Sequence, residues 1–323
     1  MKVGFHIHPF AMDVPGGGEV QLLEYVRLLR ERGVDVWLHN MWKPEYRSLD
    51  IFHHFHLLSG GLATLDYIRR LQIPIVLNTN IWFDSTNFPS VNVAEIRAYL
   101  AIADRFIANS HAEIANIAEY TGANVSHGRV VYNGVRRQFS EPVDTRVFSD
   151  LLPFEGRYIL NVGNVEPRKN QLRLSLAARE LGIPVVVLGG VRDQAYLQEC
   201  KQAFDGFYYL GHQDHEGAVL HAALRHAQVF ALPSTFETPG LAALEAAVAG
   251  CHVVVTHGGS TREYFQDNVT YVDPSSISDI AEGLETAFQQ NGRAGELQHH
   301  VLTKFSWESV SGDLLAHYHE LLT

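Results

Sequence analysis

The chain has 323 residues, 46% of them hydrophobic and 19% charged, with a formal net charge of −11. This composition excludes a disordered chain, its two cysteines (Cys200 and Cys251) exclude a disulfide framework, and no apolar run reaches membrane-spanning length. Residues 1–150 carry a net charge of −2 and residues 151–323 a net of −9, which argues against nucleic acid as a partner and for at most weak peripheral association with anionic lipid.

The chain opens on a strand, Val3–His8, without the apolar core or small-residue cleavage site of a secretory signal. With so few cysteines, a cytoplasmic setting is expected. A glycine run follows, Asp13-Val14-Pro15-Gly16-Gly17-Gly18-Glu19, and leads into an amphipathic helix over Glu19–Arg32. Its spacing is neither a dinucleotide fingerprint nor a P-loop, so the run alone marks only a place where backbone can approach a ligand closely. Strands are predicted at Val34–His39, Ile51–Phe55, Ile73–Asn78, Arg105–Ala108 and Arg129–Tyr132, with a helix at Ala112–Tyr120. Strand alternation places His54 and His56 on one face and His53 on the other. Two histidines do not close a zinc site, and no thiolate is near.

The alternation of strands and helices pauses over residues 136–156, where Pro142, Pro153 and mixed charge suggest a linker. It resumes with strands at Tyr158–Val162, Pro184–Leu188, Phe207–Leu210, Val229–Leu232, His252–Thr256 and Val269–Val272, and helices that include Leu172–Leu181, Gln194–Ala203 and Leu241–Ala249. The order predicts an α/β chain of two doubly wound parallel-sheet domains facing across a cleft, with ligands at the carboxyl ends of the strands. The expected boundaries are 1–140 and 157–304 for the domains, 141–156 for the linker, and 305–323 for a terminal helix.

Three segments after second-half strands carry the chemistry. Val162-Gly163-Asn164-Val165-Glu166-Pro167-Arg168-Lys169-Asn170 puts two adjacent cations at a strand end, where an Arg fork and a Lys point charge suit a diphosphate. Pro233-Ser234-Thr235-Phe236-Glu237-Thr238-Pro239-Gly240-Leu241-Ala242-Ala243-Leu244-Glu245 carries two carboxylates eight positions apart around a helix start, whose free N–H groups favour an anion. Thr256-His257-Gly258-Gly259-Ser260-Thr261-Arg262-Glu263 follows the next strand. Carboxylates that accept from hydroxyls beside donors for a diphosphate together suit a nucleotide sugar.

The Pro233–Glu245 block, with the strand before it and the Gly-Gly segment after it, resembles the Glu-x7-Glu signature of retaining glycosyltransferases with the GT-B fold, in particular family 4. The resemblance implies that Glu237 contacts donor-sugar hydroxyls, Glu245 the ribose hydroxyls, and the N–H groups of Gly240 and Leu241 the phosphate or sugar. Val162–Asn170 is similar to the family's Gly-Arg-x-x-x-x-Lys segment, with Lys169 in the lysine position. Asn164 stands where the family often has arginine, and Arg168 is expected to supply that cation. Gly17 and Gly18 match the first-domain glycine loop near the donor phosphates. The family often carries a histidine after the strand matching Ile73–Asn78; Asn80 is the best match here and can hydrogen-bond a hydroxyl but not act as a base.

Glu237, Lys169 and Arg168 are thus the expected catalytic residues, with Asn80, His54 and His56 as acceptor or sugar contacts; the histidines equally suit a structural role. The resemblance implies same-face transfer in which the leaving phosphate takes the acceptor's proton, without metal, since Asp-x-Asp is absent. The donor is expected to be a GDP- or UDP-sugar. The acceptor is a glycan or lipid-linked hydroxyl, in surface polysaccharide or glycoconjugate assembly in the cytoplasm or at the inner membrane face. Base contacts are expected from loops near Gly189 and Gly211. Two other readings stand beside this one. A non-catalytic nucleotide-sugar-binding subunit is kept open by Asn80 and Asn164. A nucleotide-sugar 2-epimerase is opposed by the Glu-x7-Glu block and the Arg168–Lys169 pair.

Overall fold

A computed structural model of the protein describes residues 1–323 except 14, 58 and 59, so Val14 of the glycine run lies outside the described residues. The chain divides into two units: Met1–Gly134 with Trp307–Thr323, and Val135–Ser306.

The first unit runs β1 (Lys2–His6), α1 (Gly17–Glu31), β2 (Asp35–Leu38), β3 (Ile51–Phe55), α2 (Leu62–Arg70), β4 (Ile75–Asn78), α3 (Val93–Ile102), β5 (Arg105–Ala108), α4 (His111–Thr121) and β6 (Gly128–Val130). Its strands form one parallel sheet in the order β2-β1-β3-β4-β5-β6. Strands covered on both faces are buried throughout: all of Ile51–Phe55 and Ile75–Asn78 are buried, the polar His53, His54 and Asn78 among them. Phe52, Leu65, Ile75, Ile96, Leu100 and Phe106 form the core on one face. The other face takes α1 and the C-terminal helix Trp307–Leu322, where the Trp307 ring meets Tyr25 and the Tyr318 hydroxyl reaches His53 Nδ1 at 2.5 Å.

The second unit runs α5 (Arg146–Ser149), β7 (Ile159–Val162), α6 (Gln171–Leu181), β8 (Val185–Leu188), α7 (Gln194–Ala203), β9 (Phe207–Tyr209), α8 (Ala218–His226), β10 (Val229–Leu232), α9 (Leu241–Ala249), β11 (His252–Thr256), α10 (Thr261–Phe265), β12 (Thr270–Val272), α11 (Ile277–Gln289) and α12 (Gly295–Lys304). Its sheet is also parallel, in the order β12-β11-β10-β7-β8-β9. Alanine dominates α9, and every residue from Ala243 to Ala249 is buried, because small side chains let neighbours close on the helix from all sides.

The predicted strands and helices are observed within two residues at either end. Residues 141–156, expected as a linker, instead belong to the second unit. The reason is Phe148: it is wholly buried, with its ring against Tyr158 and His226, and this burial outweighs the break suggested by the flanking prolines. The first contact boundary falls at Gly134, and the terminal helix joins the first unit from Trp307. Among the described residues, no helix is long and apolar enough to cross a membrane.

Candidate functional site

Both sheets are doubly wound, and each has one place where the strand order reverses. In the second unit this lies between β7 and β10, with β8-β9 on one side and β11-β12 on the other. Crevices at such switch points, beyond the carboxyl ends of the strands, are where ligands bind in open α/β sheets. The segment after β7 carries Arg168 and Lys169, and the segment after β10 carries Glu237.

These residues meet there. Lys169 Nζ lies 2.6 Å from Glu237 Oε1, with the two side chains 14% and 6% exposed. Ser234 donates its hydroxyl to the same oxygen at 2.6 Å, and an Arg168 guanidinium nitrogen lies 3.7 Å away. Burial alone would raise the pKa of Glu237, but the Lys169 and Arg168 charges outweigh it and hold the carboxyl below its usual range. Arg168 is fixed by Glu166 at 3.1 Å, by the Phe236 carbonyl at 3.3 Å and by the face of the Phe236 ring. Arg192 follows β8 and reaches Glu166 at 3.4 Å. With its amide oriented to satisfy both atoms, Asn164 accepts from Arg192 at 3.1 and 3.3 Å. Three cations therefore face two carboxylates, leaving one positive charge for an anionic ligand.

The loop that presents Glu237 is braced by the segment after β11. Glu237 N donates to the Gly258 carbonyl at 3.2 Å, and Ser260 N donates to the Glu237 carbonyl at 2.9 Å. A Cβ on Gly259 (φ +90°) would lie 2.0 Å from the Glu237 carbonyl oxygen, so this close approach requires glycine. The two glycines thus hold the Glu237 loop. Gly240 caps α9, and a Cβ there would stand 3.2 Å from Glu237 Oε2. Among the described residues, the N–H groups of Gly240 and Leu241, at the start of α9, have no acceptor. Glu245, on α9, is buried and bonded to His215 Nε2 at 2.6 Å.

In the first unit the order reverses between β1 and β3. Gly17 and Gly18 begin α1, the helix that follows β1 in sequence, and Glu19 accepts from Gly16 N at 2.7 Å. A Cβ on Gly18 would stand 2.6 Å from His56 Cε1 and 2.9 Å from Asn80 Nδ2, so both side chains pack on the helix start. Glu19 Oε1 lies 3.4 Å from His56 Nε2. Burial pushes the Glu19 pKa up, but His56 and the Gly16 N–H draw it down to about 2. Asn80 Oδ1 accepts from Asn78 and Asn109, both at 3.0 Å.

His54 and His56 do not act as a pair. The strand ends at Phe55, and His56 turns left-handed (φ +73°), so the alternation expected to pair them stops short of it. His54 is wholly buried, stacked on Tyr99, with its Nδ1 2.6 Å from His6 Nδ1. Among the described residues, no group of three or more His, Cys, Asp or Glu side chains could hold a metal.

Residues 144–301 match the family model for glycosyl transferases group 1, and residues 37–139 that for glycosyltransferase family 4. The D-inositol 3-phosphate glycosyltransferase of Thermobifida fusca is 29% identical, over 88% of this chain and 74% of its own. The fold is similar to that of sucrose-phosphate synthase from Thermosynechococcus elongatus (TM-score 0.83, 17% identity, 99% of this chain and 98% of that one). It is also similar to Anabaena HepE solved in complex with UDP-glucose (TM-score 0.79, 16% identity, 99% and 100%). The chain is a glycosyltransferase of the GT-B type, similar to family 4.

In this glycosyltransferase the expected residues Lys169, Arg168, Glu237 and Gly240 come together, and Asn164 joins them through Arg192 and Glu166. Gly18, His56 and Asn80 form a second group; His54 belongs to neither. Three participants were not singled out from sequence. Arg192 is a cation just after a strand and so was findable by the same rule as Lys169. Ser234 sits inside the quoted block as a plain loop hydroxyl. Glu113 is wholly buried and accepts from Thr79 Oγ1 (2.5 Å), Ile81 N (3.0 Å) and Asn109 N (2.8 Å), which fixes the loop that carries Asn80.

Proposed function

We propose that the protein is a retaining hexosyltransferase that moves a sugar from a nucleoside diphosphate sugar to an acceptor hydroxyl. The observation that carries this reading is the Lys169–Glu237 pair, flanked by Arg168 at the β7/β10 switch point. In it the second unit holds the donor: the excess cation and the Gly240 and Leu241 N–H groups take the diphosphate, Glu237 the sugar hydroxyls and Glu245 the ribose. The leaving diphosphate gathers negative charge in the transition state, and Lys169 and Arg168 are preorganised beside it, which is where electrostatic stabilisation is most effective. The leaving phosphate takes the acceptor's proton, so no side-chain base is required and Asn80 suffices as a hydroxyl contact.

A UDP-sugar is favoured over a GDP-sugar because UDP-glucose is named in a structure of this fold. The first unit is assigned the acceptor, a glycan or lipid-linked hydroxyl in glycoconjugate assembly on the cytoplasmic side of the membrane. The test is thermal stability with UDP, GDP and ADP, each with and without Mg²⁺. A nucleotide at about 100 times its Kd adds roughly 2.7 kcal/mol. A shift with UDP or GDP that needs no Mg²⁺ is the expected result; no shift with any nucleotide overturns the reading.

A further inference from the structure

The loop between β9 and α8 delivers a histidine to the middle of α9. His215 Nε2 lies 2.6 Å from Glu245 Oε1, with the Glu245 side chain 7% exposed. Among the described residues, His215 is the only hydrogen-bond partner of the Glu245 side chain, so Oε2 is left over. A buried carboxylate needs donors, and one held by a single donor on one oxygen presents the other in a defined direction.

The histidine is itself held. Its ring stands edge-on to Phe139, 5.9 Å between centroids, and Phe139 is buried. The adjacent Glu216 is bonded to Arg136 at 2.8 Å, and Asp214 closes the turn by accepting from Glu216 N at 3.1 Å and Gly217 N at 2.9 Å. A donor fixed by packing and an acceptor fixed on a buried helix together set the carboxylate's rotation.

We propose that His215 is a positioning residue of the ribose subsite: it holds Glu245 Oε1 so that Oε2 faces the ribose hydroxyls of the nucleotide. This rests on the ribose role given to Glu245 above. The sequence block that carries Glu245 holds no trace of it, because His215 lies 30 residues earlier.

The experiment is isothermal titration of the full chain with UDP and GDP, each against its 2′-deoxy analogue, for the wild type, His215→Ala and His215→Gln. The wild type is expected to prefer the ribonucleotide by about tenfold, the scale of one hydrogen bond to a charged group. His215→Ala brings that ratio close to one while leaving the affinity for the deoxy analogue nearly unchanged. His215→Gln, whose amide N–H can reach where Nε2 stands, restores most of the preference. Should the alanine variant fail to fold, His215→Asn, too short to reach Glu245, serves in its place. A wild-type ratio retained in the alanine or asparagine variant overturns the inference alone. A wild type that binds the ribo and deoxy forms equally overturns the ribose role of Glu245 and this inference with it, and one that binds neither nucleotide overturns the proposed function.

Discussion

The two switch points share a topology and differ in their electrostatics. Beyond β7 and β10, Arg168, Lys169 and Arg192 confront Glu166 and Glu237 in a cluster of full charges. At the β1/β3 switch point, the groups are His56, Asn78, Asn80 and Asn109, with the asparagines bonded to one another and Glu19 beside His56. A parallel sheet determines where a crevice forms, and the residues at its strand ends decide what the crevice can hold. A site rich in fixed charge suits a diphosphate. A site of neutral donors and acceptors suits sugar hydroxyls, which offer no charge to offset desolvation.

The contrast is broken most severely at Lys169. Removing one partner of a buried pair leaves the other as an uncompensated charge, so Lys169→Ala is expected to cost roughly 3–5 kcal/mol of stability at neutral pH. The sign with pH follows from Glu237. In the wild type its folded pKa is depressed, so its stabilising contribution is present above the unfolded carboxylate pKa and is lost as pH falls through the folded value. In the variant that contribution is gone, so the gap between variant and wild type narrows toward pH 4. Urea unfolding at pH 7.5 and pH 4.5 checks this; a gap of equal size at both would show that Lys169 contributes packing alone.

The first unit loses stability in the same direction, but in a higher pH window. Burial, together with the neighbouring His39 and His8, lowers the His6 pKa to about 4, and burial lowers that of His53 to about 3. A histidine whose folded pKa lies below its unfolded value leaves the unfolded state binding more protons, so stability falls as pH drops from about 6.5 toward 4. For His6 the full shift corresponds to on the order of 3 kcal/mol. The first unit is expected to unfold before the second on acidification. Hydrogen exchange at pH 7.5 and pH 5 that follows amides of β1 and β3 against those of β7 and β10 tests this. Equal loss of protection in the two sheets would rule it out.

The charged site was far more legible in the sequence than the neutral one. Lys169 and Glu237 follow apolar runs that read clearly as strands, so the sequence alone places each after a strand end. What that reading lacked was sheet order. Arg192 approaches Glu166 because β8 lies beside β7, and His215 reaches Glu245 because the loop after β9 turns back over α9; neither pairing has a local signal. His56 was misplaced because alternation was carried one residue past the strand into a left-handed turn. Residues 141–156 group with the second unit for a simpler reason: Pro142 and Pro153 are visible in sequence, whereas the burial of Phe148 between them is a tertiary fact.

The smallest expected change in stability separates the two glycine segments. At Gly259 an added methyl would meet a backbone oxygen, which cannot give way. At Gly18 it would meet His56 and Asn80 side-chain atoms at 2.6–2.9 Å, and side chains can rotate. Gly18 also lies inside α1, where alanine is favoured over glycine by about 1 kcal/mol. Displacing the two side chains costs a similar amount through the lost Glu19–His56 contact, so Gly18→Ala is expected to leave Tm within a few degrees of the wild type. Its consequence is functional. With His56 and Asn80 pushed off the helix start, glycosyl transfer should fall about tenfold or more while nucleotide affinity in the second unit is retained. Loss of nucleotide affinity together with transfer would place the Gly18 loop at the donor rather than beside the acceptor. Unchanged transfer would reduce the histidine–asparagine network to a structural element of the first sheet.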